Sequence, residues 1–335
     1  MMHWHFSDDT GSEFWLDQKK SLGFNPVKDI KTLEDIRHFG LFDKEKMRAI
    51  DVDLLIPKGF INKPRTITET GGTTGMPIKI AKVTTEDYNV IQYDAMIQAR
   101  GIKPANILAM TPSGPHAYGD FVRRLGASWN KSVYYIDFDP RWVKKTIERT
   151  DIYEAYVEHL FAQTFDIMKT QKTKVLFTTS KLLMQMVLVM DKPLCEYGIE
   201  AVCTGGTSCT QEEIRYLNEN FLQNVHWIDT YGNTLLGHAL QADPWSGYAM
   251  RSYYVPPPLG IIRIVDPVNW NATVDYYQRG RVLIITLLED LFIPNLLERD
   301  SAVRVPPHPW YPWDGVTDVL PYTGPGAGKA IEGVY

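Results

Sequence analysis

The sequence predicts an α/β fold whose C-terminal third is a β-rich subdomain, and three observations lead there. Short apolar runs alternate with helical stretches from Ile107 to Asp229. The character changes after Pro256-Pro257-Pro258 to apolar strands without helical spacing. Between an apolar approach and the strand-like IKIAKV lies TETGGTTGMP, residues 68 to 77, with three glycines and four threonines. Glycine frees backbone N–H groups to point inward, and with hydroxyls beside them they can wrap a phosphate chain. It is not a Walker-type loop, which would end in Gly-Lys-Ser/Thr, whereas this one ends Gly75-Met76-Pro77.

Taken in order, residues 1 to 65 alternate short helical patterns with loops, as in KTLEDI at 31 to 36, and are expected to form a packing arm. The N-terminal MMHWHFSDD has no signal-peptide pattern, and His3 and His5 are expected on a frayed, solvated tail. Residues 66 to 255 form the α/β region, with ILAM (107–110), KVLFT (174–178), EAVC (200–203) and VHWID (225–229) as parallel strands separated by crossover helices. Leu182 to Met190, interrupted by Gln185, has the spacing of a core helix. Cys195, Cys203 and Cys209 form no C-x-x-C pair and have no histidine to complete a zinc set, so they read as buried, reduced thiols. Thr210 followed by Glu213 is a capping-box signature that starts a helix with Ile214, Leu217 and Phe221 on one face. Residues 256 to 335 are the β-rich subdomain, with GIIRIV (260–265) and RVLIITLL (281–288) as strands, a boundary near 255, and a packed irregular loop from Pro306 to Tyr322. Gly324 to Lys329 imitates a phosphate loop but is one residue short and lacks the following Ser/Thr, so it reads as a flexible turn.

The chain has 335 residues, enough for a full core, and a net charge of −5 with no dense Lys/Arg cluster. That balance argues against a nucleic-acid or acidic-membrane partner, and no apolar run reaches membrane-spanning length. A cytoplasmic protein with a small-molecule or protein partner is expected.

Four segments in order resemble the adenylate-forming superfamily of acyl-CoA synthetases, nonribosomal-peptide adenylation domains and luciferases. The first is the loop containing Thr70, Gly71, Gly72, Thr73, Thr74 and Gly75. The second is Gly205-Gly206-Thr207, and the third is Asp229-Thr230-Tyr231-Gly232-Asn233-Thr234. The fourth is GRVLIITLL followed by Glu298-Arg299-Asp300. The resemblance implies the superfamily's large N-terminal domain, layered sheets and helices with a β-barrel-like subdomain. It also implies ATP and Mg²⁺ as cofactors. By that resemblance the first loop holds the β- and γ-phosphates, and the second segment lies against adenine. Tyr231 stacks on the base, Thr234 reaches the α-phosphate, and Asp300 accepts the ribose hydroxyls. His116 falls where the family places an aromatic or imidazole residue near the acyl pocket, although a hydrogen-bonded loop histidine is an equal reading. The hydroxyls of Thr70, Thr73 and Thr74 suit a leaving pyrophosphate. The intervening segments are similar to the phenylacetate-CoA ligase-like branch and resemble its truncated members from phenazine-antibiotic pathways.

Three departures stand out. Leu235 occupies the position of a magnesium-binding glutamate, and Lys79 follows Pro77 one residue late. The sequence stops near the family's hinge, so the small C-terminal domain and its lysine are expected to be absent. The resemblance therefore implies activation of an aromatic carboxylic acid, such as a phenazine carboxylic acid, as its acyl adenylate, handed to a partner enzyme such as a reductase or transferase. A nucleotide-binding scaffold without catalysis, and an aryl-CoA ligase acting without that domain, stay open beside it. A Rossmann-type enzyme is disfavoured because no G-x-G-x-x-G follows an early strand.

Overall fold

The computed structural model describes residues 1–71, 76–242 and 251–324. The chain opens with α1 (Met2–Phe6), α2 (Glu13–Lys19) and α3 (Pro26–Asp29), followed by short 3-10 turns up to Phe60. Ser12 and Asn25 start α2 and α3 by accepting N–H groups of the first turn, which would otherwise lack partners. The expected frayed tail is not what the structure has. His5 is buried and its Nε2 lies 2.7 Å from the Leu288 carbonyl, while Trp4 donates to the Glu289 carbonyl at 2.7 Å. Of the two histidines, His3 is the exposed one. An apolar anchor of Trp4 and Phe6 outweighs the entropy of a free end.

The hairpin β1 (Thr66–Glu69) and β2 (Lys79–Lys82) flanks the glycine-rich loop and leads into α4 (Thr85–Ala99). Next come β3 (Ile107–Ala109), α5 (Ala117–Ser128), β4 (Val133–Tyr135), α6 (Pro140–Thr146) and α7 (Thr150–Thr170). These are followed by β5 (Val175–Thr178), α8 (Ser180–Val187), β6 (Ala201–Gly205), α9 (Gln211–Asn220) and β7 (His226–Asn233). The remaining elements are strands: β8 (Gly237–Gln241), β9 (Ser252–Tyr254), β10 (Ile261–Val265), β11 (Arg279–Leu287), β12 (Phe292–Val305) and β13 (Gly315–Pro321).

Two compact units result, one contiguous over Val90–Gly232 and one made of Met1–Asn89 with a second segment from Asn233. The boundary expected near 255 falls inside the second of these. In the contiguous unit five parallel strands lie in the order β7-β6-β5-β3-β4. Every residue of β3, β5 and β6 is buried, as strands covered on both faces require. One apolar core contains Leu108, Leu176, Leu183, Met186, Val202 and Leu217. Thr210 and Glu213 form the reciprocal capping box, with Leu217 buried and Ile214 and Phe221 packed against the same core. All three cysteines are free, but only Cys203 is buried; Cys195 and Cys209 are partly exposed.

The discontinuous unit carries antiparallel strands in the order β10-β11-β12-β13-β9-β8. Phe6, Trp15 and Phe39 surround Phe292 with ring centroids 4.8–5.5 Å away, which holds the first helices to β12. The irregular loop expected over 306–322 ends instead in β13, which pairs with β12 and β9 because Val316 and Thr317 are buried between them. Asp290 fixes the start of α4: its carboxylate accepts the N–H groups of Val83, Thr84 and Thr85 at 2.7–3.0 Å and the Thr85 hydroxyl at 2.6 Å. Burial pushes the Asp290 carboxyl up, but the Lys82 cation and these donors outweigh it and hold it below the ordinary range.

Candidate functional site

Ligands of open parallel sheets gather at the carboxyl ends of the strands, and in the contiguous unit the candidate residues lie there. β6 and β7 run in register, with Thr204 opposite Asp229 and Gly205 opposite Thr230, so the Gly-Gly-Thr turn and the Tyr231-Gly232 end are brought together. Gly205 is required by close approach: a Cβ there would lie 2.8 Å from Thr230 Oγ1. Gly206 has φ of 81°, the left-handed region that glycine enters without cost, and it turns the chain out of the strand. Thr207 does not point its oxygen into open space, because Oγ1 accepts the Lys181 N–H at 3.2 Å and ties this turn to the start of α8. Tyr231 is half-buried and Gly232 exposed, leaving an aromatic face and an open backbone at the strand end.

Beneath this edge lies a polar relay that motif reading did not reveal. Trp227 Nε1 donates to Thr204 Oγ1 at 2.9 Å, and Thr204 donates to Asp229 Oδ1 at 2.5 Å, all three being buried. Asp229 thus serves to hold strand against strand. Tyr118 does the same for β5 and β6, its hydroxyl placed 3.0 Å from the Thr178 carbonyl and 3.3 Å from that of Cys203. Burial pushes the Cys203 thiol up to about 12, so it is no nucleophile.

His116 immediately precedes α5 in the loop after β3 and is 7% exposed. Burial first, and then the Arg141 cation, bring its imidazole down to about 4, so it is neutral at physiological pH. It lines a cavity of about 330 Å³ with Ser113, Asp139, Arg141, Trp142 and Lys145. Those α6 residues were legible as a helix start, since Asp139-Pro140 is a cap followed by proline at the first helical position, and Arg141 and Lys145 fall four apart on one face.

In the discontinuous unit, Thr70 closes the glycine-rich loop. Its N–H donates to the Ile78 carbonyl and its Oγ1 accepts the Ile78 N–H, both at 3.0 Å, leaving the hydroxyl proton for another acceptor. Gly71 is half-buried; Gly72, Thr73, Thr74 and Gly75 lie outside the described residues, as do 325 to 329 of the imitation phosphate loop. Lys79 is exposed at the start of β2, while Lys82 is fully buried. Asn233 and Thr234 form a tight turn, in which the Asn233 side chain accepts the Leu235 N–H at 2.8 Å. Leu235 is 1% exposed, and its carbonyl accepts the Thr286 hydroxyl at 2.6 Å, so this position belongs to the core. Asp300 sits half-exposed on β12 opposite Pro321. Among the described residues no group of three His, Cys, Asp or Glu side chains could hold a metal ion, and no helix is long and apolar enough to cross a membrane.

No protein family profile and no curated protein matches the chain. Solved structures do. A 2-hydroxyisobutyryl-CoA ligase with 2-HIB-AMP and CoA in its thioesterification state superposes with a TM-score of 0.68 at 14% identity, covering 96% of this chain and 65% of the ligase. The same ligase in an open conformation gives 0.66 at 13% identity, over 93% and 70%. ATP-bound MatB from Rhodopseudomonas palustris gives 0.51 at 14% identity, over 76% and 47%. The chain therefore spans 47–70% of the length of these structures. What is shared at such identity is the fold: the α/β fold of the large domain of adenylate-forming ligases.

Proposed function

We propose that this protein uses ATP to activate a carboxylic acid, of aromatic class, as its acyl adenylate. The observation that carries the reading is the register of β6 and β7, which sets the Gly205-Gly206-Thr207 turn beside Tyr231-Gly232 at the carboxyl edge of a parallel sheet. The fold shared with ATP- and adenylate-bound ligases supports it.

The donor set suits a nucleotide. Tyr231 offers a half-buried ring for the base, and Asp300 offers a half-exposed carboxylate on β12 for the ribose hydroxyls. Thr70 and Gly71, with Gly72, Thr73, Thr74 and Gly75, are assigned to the β- and γ-phosphates in this reading, and Thr234 to the α-phosphate. Attack of a carboxylate on the α-phosphorus brings two anions together, and fixed donors offset the charge that builds on the leaving pyrophosphate. The described residues do not fit a protein-held Mg²⁺: Leu235 is apolar and buried where a carboxylate would be needed. No step is assigned to that ion, which enters only as the usual companion of ATP. The adenylate, a mixed anhydride, is then passed to a separate enzyme such as a reductase or transferase of a secondary-metabolite pathway of phenazine-antibiotic type, in keeping with the phenylacetate-CoA ligase-like segments.

Hydroxylamine trapping tests the reading. The protein is incubated with ATP, Mg²⁺, hydroxylamine and a panel of aromatic acids, and hydroxamate and pyrophosphate are measured. Equal release of both with at least one acid is expected. The buried Leu235 favours one competing reading, a nucleotide-binding scaffold without catalysis, for which AMP would bind but no acid would release pyrophosphate.

A further inference from the structure

We infer that one water is built into the core of the discontinuous unit, donating one hydrogen to His5 Nδ1 and the other to Asp290 Oδ1. It ties α1 to the carboxylate that fixes the start of α4, and it is independent of the adenylating reading.

His5 is 1% exposed, and its surroundings settle its tautomer. Nε2 lies 2.7 Å from the Leu288 carbonyl, which can only accept, so Nε2 carries the proton. Burial brings the imidazole down to about 4, which leaves Nδ1 as a lone-pair acceptor at neutral pH. Nδ1 is buried, and no donor among the described residues reaches it. Phe292 covers the face of the ring, stacked on it with centroids 5.2 Å apart. Buried acceptors in native interiors are almost always met by a donor, from the protein or from ordered water.

His5 and Asp290 line one small cavity, whose wall is otherwise largely apolar, with Met47, Ile80 and Phe292 in it. Its volume of about 10 Å³ is at the lower limit of what a single water needs, roughly 10–15 Å³. All of its lining residues belong to one unit, and all but Leu55 are buried. Asp290 supplies the second partner that a buried water requires. Its Oδ2 accepts three N–H groups, whereas Oδ1 accepts only the Thr85 hydroxyl, at 2.6 Å, and has room for a second hydrogen. A water brings two hydrogens to these two acceptors in the space of one oxygen atom. Because Asp290 also takes the N–H groups of Val83 and Thr84, directly after β2, the water links α1 to the hairpin that carries the glycine-rich loop.

Two measurements on the unaltered protein test this, and one variant adds a third. Crystallography of the full chain, at a resolution that places waters, is expected to show one water within hydrogen-bond distance of both His5 Nδ1 and Asp290 Oδ1. Nitrogen-15 NMR of the histidine-labelled protein at neutral pH is expected to show Nε2 protonated, and Nδ1 without a proton but shifted upfield, as acceptance of a hydrogen bond requires. In His5→Phe the ring against Phe292 is kept but only Asp290 is left to hold the water, so oxygen-17 relaxation dispersion should count one long-lived buried water fewer than in the wild type. Circular dichroism checks that the variant is folded. An empty cavity, a water that touches only one of the two groups, a proton on Nδ1, or an unchanged count in the folded variant overturns the inference. So does a monovalent cation in the water's place, identified by anomalous scattering after a rubidium soak, which would assign the cavity to an ion held by Asp290.

Discussion

Thr204 holds the β6–β7 edge together, and replacing it by valine isolates what its hydroxyl contributes, since the two side chains have nearly the same shape. In the native chain the oxygen accepts from Trp227 Nε1 and donates to Asp229 Oδ1. Valine removes both. Loss of a hydrogen bond to a buried carboxylate costs about 1.5–3 kcal/mol and loss of a neutral one about 0.5–1.5 kcal/mol, so Thr204→Val should destabilise by about 2–4.5 kcal/mol. Serine keeps the oxygen and gives up one buried methyl, worth about 1 kcal/mol. Urea unfolding at pH 7, followed by tryptophan fluorescence, compares the three proteins. If valine is no more destabilising than serine, the relay does not hold the strands and the stability of this edge comes from packing alone.

Asp300→Ala removes an acceptor from a half-exposed strand position and is expected to weaken AMP binding about tenfold, equivalent to about 1.4 kcal/mol, by calorimetry; unchanged affinity would refute the ribose assignment. Leu235→Glu places an unpaired carboxylate in a site that is 1% exposed, and it should cost several kcal/mol in urea titration rather than create a magnesium ligand; a variant as stable as wild type with a lower Mg²⁺ requirement would contradict this. Asp290→Ala frees three N–H groups at the start of α4 and should destabilise by about 2–4 kcal/mol, more than Asp290→Asn, which keeps an acceptor. His5 is held down at about 4 chiefly by burial, so below pH 6.5 the unfolded chain takes up the proton first. Stability is then lost as pH falls from 6.5 through about 4, by about 2 kcal/mol at pH 5, and denaturation of His5→Leu should show a shallower fall over the same interval.

The parallel strands were legible because each is a short apolar run between turn residues, and the residues named for β3, β5, β6 and β7 all lie on or beside those strands. The α9 cap was legible for a local reason, two side chains satisfying each other three residues apart. His5 was not: nothing in the first residues says that a carbonyl 283 positions later awaits its ring. β13 escaped notice because the prolines and aromatics from 306 to 313 just before it look like loop, and its pairing with β9 and β12 is decided by residues distant in sequence. At the candidate site, motif order pointed to Thr207 and Asp229 as ligand-facing, yet the oxygens of both are bound within the protein. Hydrogen-bond partners across strands carry no sequence signature, so motif spacing overstates how many polar groups are left for a ligand.

The anchoring of α4 by Asp290 bears on how the chain is made. Its four donors lie 205 to 207 positions before their acceptor, and Trp4 and His5 reach carbonyls 285 and 283 positions ahead. A ribosome therefore releases the first 89 residues long before their partners exist, whereas Val90–Gly232 has a complete parallel sheet as soon as it has emerged. The middle of the chain is set to fold first, and the N-terminal segment, with Phe6, Trp15 and Ile36 still bare, must wait for β11 and β12. That interval, rather than the finished protein, is where aggregation and chaperone binding should concentrate.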